Sequence, residues 1–215
     1  NALRELAIQA TILEKNQEAF ELWQRLLALN PAPKLAAIAY VNLGTIYCRL
    51  AKFDDALDAA KRAVECAPDL KEARYNHAMA ELHCGNAQNT IRILESLLDG
   101  FPDYPPAQFI ISAAYCCAGQ KHKGVDGIRK LKMTPMGAHL KIPCIELAQS
   151  LLEAKKMEYA LFVLGAAIEC DIVNQGILDL FTECIKMNDK AQHLSETALT
   201  GPTDRPPVRF EDLPQ

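Results

Sequence analysis

The stretch YVNLGTIYCRLAKFDDALDAAKRAVECAP, residues 40–68, decides the fold. Small residues stand at four places in it: Gly44, Ala56, Ala60 and Ala63. Leu, Ile and Val already supply the apolar face of each predicted helix, so small side chains at fixed places indicate close contact between two helices. Pro68 cannot continue a helix and marks the end of the second one. The stretch therefore predicts a helix hairpin.

The same pattern recurs at a period of 34 residues. Ala78 and Ser112 stand in the register of Gly44, and Pro102 stands in that of Pro68. Self-similarity at a fixed period predicts a stack of hairpins in which each unit buries its apolar face against the next. The predicted units cover residues 1–36, 37–70, 71–104, 105–138, 139–173 and 174–199, with the first and last degenerate.

Two regions depart from the period. Residues 130–143, KLKMTPMGAHLKIP, carry two prolines and predict an irregular connection before the fifth hairpin. In the last unit, the pattern predicts a helix at about residues 175–187 and a separate polar helix at 191–198.

The chain resembles the tetratricopeptide repeat family. Eight residues of the second unit carry the resemblance: Tyr40, Leu43, Gly44, Tyr47, Ala56, Ala60, Ala63 and Pro68. The similarity runs from about Leu3 to Ala198, although His77, Glu81 and Gly124 replace the usual Leu, Tyr and Ala. It implies an all-α, right-handed superhelical solenoid of antiparallel helix hairpins. It also implies that the first helices line a concave surface where a protein or peptide binds.

Counting in register predicts the residues of that concave face: Arg4, Ile8, Val41, Asn42, Thr45, Tyr75, Asn76, Met79, Phe109, Ala113, Ile145 and Gln149. Asn42 and Asn76 lie one hairpin apart, and their amides could hold a peptide backbone, as inner asparagines do in related superhelices. The competing interpretation is that they bind local water. Met79 and Phe109 are predicted to be exposed to a ligand, with core packing as the alternative.

The composition and the motifs of the sequence disfavour several classes of function. Twenty-three basic against 27 acidic residues give a net charge of −4, which favours neither a nucleic-acid nor a polybasic membrane surface. No apolar stretch is long enough to span a membrane. Eight cysteines without a C-x-x-C pair predict free thiols in a reducing compartment, hence the cytoplasm. No metal, cofactor or catalytic motif is found, which predicts that the chain is not an enzyme.

The sequence therefore predicts a protein-protein interaction scaffold that binds a protein or peptide in its concave groove. One alternative is a regulatory or targeting domain excised from a larger enzyme such as a glycosyltransferase, since the chain begins with Asn1 rather than Met. Another is a self-associating structural module. A clamp for acidic chaperone tails is disfavoured, because Glu72 and Asn76 stand where that clamp has cations.

The last residues, 200–215, change in composition and carry four prolines. They predict a linker or frayed terminus. The alternative is that Val208, Phe210 and Leu213 dock on this array or on a second copy of it, which would join copies through the tail or the terminal helices.

Overall fold

The computed structural model describes the backbone of residues 2–199 and the side chains of residues 2–137 and 139–188. These residues form eleven α-helices and one short 3-10 helix, Pro135–His139. The α-helices are α1 (Ala2–Ile12), α2 (Asn16–Ala28), α3 (Pro33–Arg49), α4 (Phe53–Cys66), α5 (Lys71–His83), α6 (Ala87–Gly100), α7 (Pro105–Cys117), α8 (Lys121–Lys132), α9 (Lys141–Glu153), α10 (Met157–Glu169) and α11 (Gln175–Leu199). The proposed docking of the tail lies outside the described residues.

A pair of helices corresponds to each of the first five predicted units, although α3 begins at Pro33, four residues before the predicted start of the second unit. The sixth unit differs from the prediction, because α11 is one continuous helix and not a pair. The expected break falls near Asn188, where the chain has neither proline nor glycine. Polar composition alone does not end a helix whose backbone hydrogen bonds can continue. The described chain is therefore five hairpins followed by a single helix.

Every hairpin turns in the same way. One residue between the paired helices has a left-handed backbone, with φ between 53° and 89°: Glu14, Ala51, Gly85, Gly119 and Lys155. Around Ala51, the amide of Lys52 donates to the Tyr47 carbonyl at 2.9 Å and the Ala51 amide donates to the Cys48 carbonyl at 3.0 Å. This pair of bonds satisfies the last carbonyls of the first helix. Of these five residues, only Gly85 and Gly119 lack the Cβ that makes a left-handed backbone unfavourable.

Replacing Ala51 by glycine should stabilise the protein by about 1 kcal/mol, because a left-handed backbone brings an alanine Cβ too close to the following carbonyl. Ala51 is exposed, so the change removes no core contact. The free energy of unfolding in urea measures the gain. Gly119→Ala is the reverse control, since nothing lies within 4 Å of the added Cβ. It should lose a similar amount, and equal stability of all three proteins would contradict the prediction.

The core divides along the array into two apolar clusters. One cluster joins the first two hairpins, and its largest buried side chain is Trp23. The Trp23 indole N–H donates to the Thr11 hydroxyl at 2.9 Å, and that hydroxyl donates to the Ala7 carbonyl at 2.8 Å. The indole is thus buried with its polar atom satisfied. The second cluster runs from α5 to α11 and holds the remaining hairpins together.

Small residues allow the paired helices of a hairpin to approach closely, but the space left for a larger side chain differs between sites. A Cβ added at Gly44 would lie 3.6 Å from the Ala56 carbonyl oxygen, which is ordinary contact. A Cβ added at Gly124 would lie 2.6 Å from the Ser112 carbonyl oxygen and would overlap the Cys116 sulfur. Gly124 departs from the family's alanine because α7 and α8 pack more closely here than an alanine permits.

The fifth hairpin is placed differently from the others. In the second, third and fourth hairpins, the first helix packs against the second helix of the preceding hairpin. In the fifth, α10 takes that role and packs against α7 and α8. Lys121 and Glu169 form an ion pair at 2.7 Å, and the Lys132 ammonium donates to the Cys170 carbonyl at 2.8 Å. The first helix of this hairpin, α9, is consequently displaced.

A 3-10 helix precedes this hairpin, and it confirms the irregular connection predicted for residues 130–143. Pro135 begins it, and a Cβ at Gly137 would lie 2.6 Å from the Lys132 carbonyl carbon. Glycine is therefore needed for the chain to fold back on the end of α8. The chain reaches α9 from a direction that regular repeats do not use.

Candidate functional site

A cavity of about 410 Å³ lies on the side of the array lined by the first helices. Its walls come from four of the hairpins. Its lining residues are Tyr40, Val41, Gly44, Thr45 and Cys48 of α3, Ala56 and Ala60 of α4, Tyr75, Asn76, Met79, Ala80 and His83 of α5, Phe109 and Ile110 of α7, and Pro143, Glu146, Leu147 and Ser150 of α9. The displaced α9 thus forms one wall of the cavity.

The lining is mostly apolar, with polar groups from a few side chains. The Thr45 hydroxyl donates to the Val41 carbonyl of its own helix at 3.1 Å. Among the described residues that line the cavity, none is a lysine or arginine, and Glu146 is the one carboxylate. Glu146 is exposed, so it stands at the rim. A volume of this size with such a lining is typical of sites for small ligands.

His83 is the buried polar group of the site. Its side chain is 3% exposed, its ring stacks on Phe53 at a centroid distance of 4.9 Å, and Nε2 lies 2.7 Å from the Ser150 hydroxyl. Burial lowers the pKa of His83 from 6.5 to about 4, so the ring is neutral at pH 7. Nδ1 is buried and has no hydrogen-bond partner among the described residues.

The contact between Ser150 and His83 has the distance of a nucleophile and its base, yet it lacks the parts that catalysis needs. A base in such a pair is oriented by a third group, and Nδ1 of His83 has no such group within the described chain. The lowered pKa also makes the imidazole a weak base. The pair instead joins α5 to α9 across the site.

Half of the predicted concave-face residues line this cavity: Val41, Thr45, Tyr75, Asn76, Met79 and Phe109. Phe109 is 3% exposed and forms part of the wall rather than an open contact, and Ala113 behind it is fully buried. Phe109 is therefore less exposed than the sequence predicts, because α7 is covered by α10 and by the neighbouring helices, although it still lines the cavity. Arg4 and Ile8 of α1 lie outside the cavity, and Arg4 pairs with Glu5.

The two asparagines that were predicted to form a ladder make different bonds. The Asn42 amide donates to the Ile38 carbonyl of its own helix at 2.8 Å. The Asn76 amide donates to the Val41 carbonyl of the preceding hairpin at 3.2 Å. One N–H of each amide bonds to the array, and the side-chain oxygen of each can accept a hydrogen bond from a ligand. Asn76 lines the cavity and Asn42 lies beside it.

The two residues of α9 that were predicted to lie on the concave face do not line the cavity. Ile145 packs towards α11, where its Cδ1 would be 3.3 Å from a Cβ on Gly176, and Gln149 is exposed. The cavity is lined instead by Pro143, Glu146, Leu147 and Ser150. Counting positions from the earlier repeats does not identify the cavity residues of α9, because the fifth hairpin is displaced.

His83 could have been found by helical spacing, since it lies seven residues after Asn76 and four after Met79 on one helix face. The α9 residues carry no such signal. The position of the α9 residues depends on how residues 130–143 fold. The sequence predicts that this connection is irregular but does not predict the direction in which it leads the chain.

The structure also describes the cysteines and the features relevant to metal binding and membrane crossing. All eight cysteines are free thiols, and Cys48 lines the cavity. Burial raises the pKa of the Cys48 thiol to about 11. In the described part of the chain, no group of three or more His, Cys, Asp or Glu side chains is placed to hold a metal ion. None of the described helices has the length and apolar character needed to cross a membrane.

Comparison with known proteins agrees with this geometry. A family model described as tetratricopeptide repeat matches residues 1–69. The PilW protein, described as a widely conserved type IV pilus biogenesis factor, is 19% identical with a TM-score of 0.60, and the likeness covers 91% of this chain and 89% of that one. YrrB, described as a tetratricopeptide protein with an unusual peptide-binding site, is 15% identical with a TM-score of 0.55, over 80% and 87% of the two chains. Residues 1–69 thus match the tetratricopeptide repeat family, and the array as a whole shares the fold of tetratricopeptide proteins.

A further tetratricopeptide protein from Thermus thermophilus is 18% identical with a TM-score of 0.55, over 84% of this chain and 96% of that one. Identities this low show a shared fold only. No curated protein matches the sequence. The tetratricopeptide array described above is thus an all-helical solenoid, and its fold indicates a role in binding other proteins.

Proposed function

We propose that the array is a scaffold that binds a segment of a partner protein along its concave face. The observation that carries this proposal is the arrangement of α3 and α5, which pack side by side. Six predicted residues on these helices are half-buried, so each keeps a part of its surface for a partner: Val41, Asn42, Thr45, Tyr75, Asn76 and Met79.

The chemistry of this surface suits a peptide segment. Apolar side chains such as Val41 and Met79 alternate with the amides of Asn42 and Asn76, each of which uses one N–H to bond to the array. A partner's backbone N–H groups can donate to these oxygens while its apolar side chains cover the carbon surface. YrrB, a protein of the same fold, is described as having a peptide-binding site, which supports the proposal by analogy.

Peptide selection tests this site. Peptides chosen from a random display library for binding to the wild-type chain should bind Asn42→Arg about tenfold more weakly, because the larger cation covers the face beside the cavity. Binding is measured by fluorescence anisotropy. The matched control is Thr182→Arg, which places the same cation at an exposed site on α11. If no peptide is selected, or if peptides bind both variants as they bind the wild type, the proposal fails.

A further inference from the structure

The cavity is bounded in a way that an open peptide groove is not. α3, α5 and α7 supply one side of it, and α9 supplies another through Leu147 and Ser150. A hydrogen bond of 2.7 Å between the Ser150 hydroxyl and Nε2 of His83 joins the two sides. A peptide needs a path that continues along the array, whereas a compact molecule needs only a pocket of its own size. A volume of about 410 Å³ lies within the range of small-molecule sites.

The lining also defines the charge of the occupant. Within the described chain, no lysine or arginine faces the cavity, so nothing there neutralises a carboxylate or phosphate. Glu146 at the rim would repel an anion. The carbon surfaces of Met79, Phe109 and Leu147 would be covered by apolar atoms of a ligand. These groups select an uncharged and mainly apolar molecule.

One polar group in the wall keeps a hydrogen-bonding function for a ligand. The half-buried Ser150 lines the cavity, and its hydroxyl uses one hydrogen bond for its contact with Nε2 of the neutral His83. Either tautomer of His83 serves, because the Ser150 hydroxyl can still accept if it donates to Nε2 and can still donate if it accepts from Nε2.

We propose that the cavity between α3, α5, α7 and α9 binds a small, uncharged, mainly apolar molecule that carries one hydrogen-bonding group. This site goes beyond the proposed binding of a partner segment. The two sites share residues of α3 and α5 such as Thr45 and Met79, but the small molecule also contacts α9 through Leu147 and Ser150.

The probe for this site is 2-naphthol, with 2-naphthoate as its anionic counterpart. Calorimetric titration of the full chain should show 2-naphthol binding at one site, and 2-naphthoate about tenfold weaker. Thr45→Phe fills the cavity and should weaken 2-naphthol at least about tenfold. Thr182→Phe is the control, since the Thr182 hydroxyl donates to the carbonyl four residues earlier, as Thr45 does, but on an exposed part of α11.

A second readout needs no variant. Cys48 lines the cavity, whereas the half-buried Cys66 does not. Saturating 2-naphthol should slow alkylation of Cys48 by iodoacetamide about tenfold and leave Cys66 unchanged, as measured by peptide mass spectrometry. This arm decides the result if Thr45→Phe does not fold.

Several results would overturn the inference. These are equal binding of 2-naphthoate, unchanged 2-naphthol binding in a folded Thr45→Phe, and no protection of Cys48. Failure to select any peptide leaves 2-naphthol binding intact and contradicts only the proposed partner function.

Discussion

The protein is expected to lose on the order of 3 kcal/mol of its free energy of unfolding between pH 6.5 and pH 4 through His83 alone. Burial lowers the pKa of His83 from 6.5 to about 4, so the unfolded chain takes up a proton in this range and the folded chain does not. Protonation therefore favours the unfolded state as the pH falls. The stabilisation is complete above pH 6.5 and is lost as the pH approaches 4.

The His83→Gln variant isolates this effect. Glutamine can still bond to the Ser150 hydroxyl but does not titrate, so its stability should fall less over the same range. Asp54, Glu153 and Lys156 line a second hollow beside His83, and they are present in both proteins. His77, whose pKa is also lowered mainly by burial, is likewise shared. The difference between two urea unfolding series, at pH 7 and pH 4.5, measures the effect. Parallel pH profiles would show that His83 is not buried as described.

Replacing Gly124 by alanine should destabilise the protein by about 1–3 kcal/mol, although alanine favours a helix over glycine by about 1 kcal/mol. The added Cβ would lie 2.6 Å from the Ser112 carbonyl oxygen and would overlap the Cys116 sulfur. A backbone oxygen cannot move aside as the end of a flexible side chain can. The contact between α7 and α8 must therefore open, which loses packing between these helices.

Gly44→Ala provides the matched control for this change. Gly44 also stands at a contact between paired helices, but its added Cβ would have ordinary contacts, at 3.6 Å from the Ala56 oxygen and 3.9 Å from the Ala59 Cβ. Its unfolding free energy should stay the same or rise by up to about 1 kcal/mol. Urea unfolding of both variants compares the two sites. A Gly124→Ala protein as stable as the wild type would mean that α7 and α8 are farther apart than described.

Much of the fold follows from local sequence. The 34-residue recurrence of small residues and prolines is a property of each hairpin, and the helix pairs from α3 to α8 follow it. Asn76 and Met79 could be placed on the concave side because each stands in a regular hairpin, and both line the cavity. The division of residues 175–199 into two helices was wrong, because a polar run weakens the apolar pattern without interrupting backbone hydrogen bonds.

The candidate site was harder to predict where it depends on more than one hairpin. Ile145 and Gln149 were assigned to the concave face by counting from earlier repeats, yet Leu147 and Ser150 line the cavity. The sequence of residues 130–143 shows that the repeat is interrupted and contains the glycine that the turn requires. It does not show which helix of the next pair will pack against α7 and α8.

The sequence by itself determined the helix hairpins, their repeated contacts between small residues and the resemblance to the tetratricopeptide repeat family. These features depend on residues close together in the chain. Only the tertiary structure decided that α10 packs where a first helix is expected, that α9 forms a wall of the cavity and that His83 is buried against Ser150. The two side chains are 67 residues apart in sequence, and their contact depends on the direction in which one short 3-10 helix turns the chain.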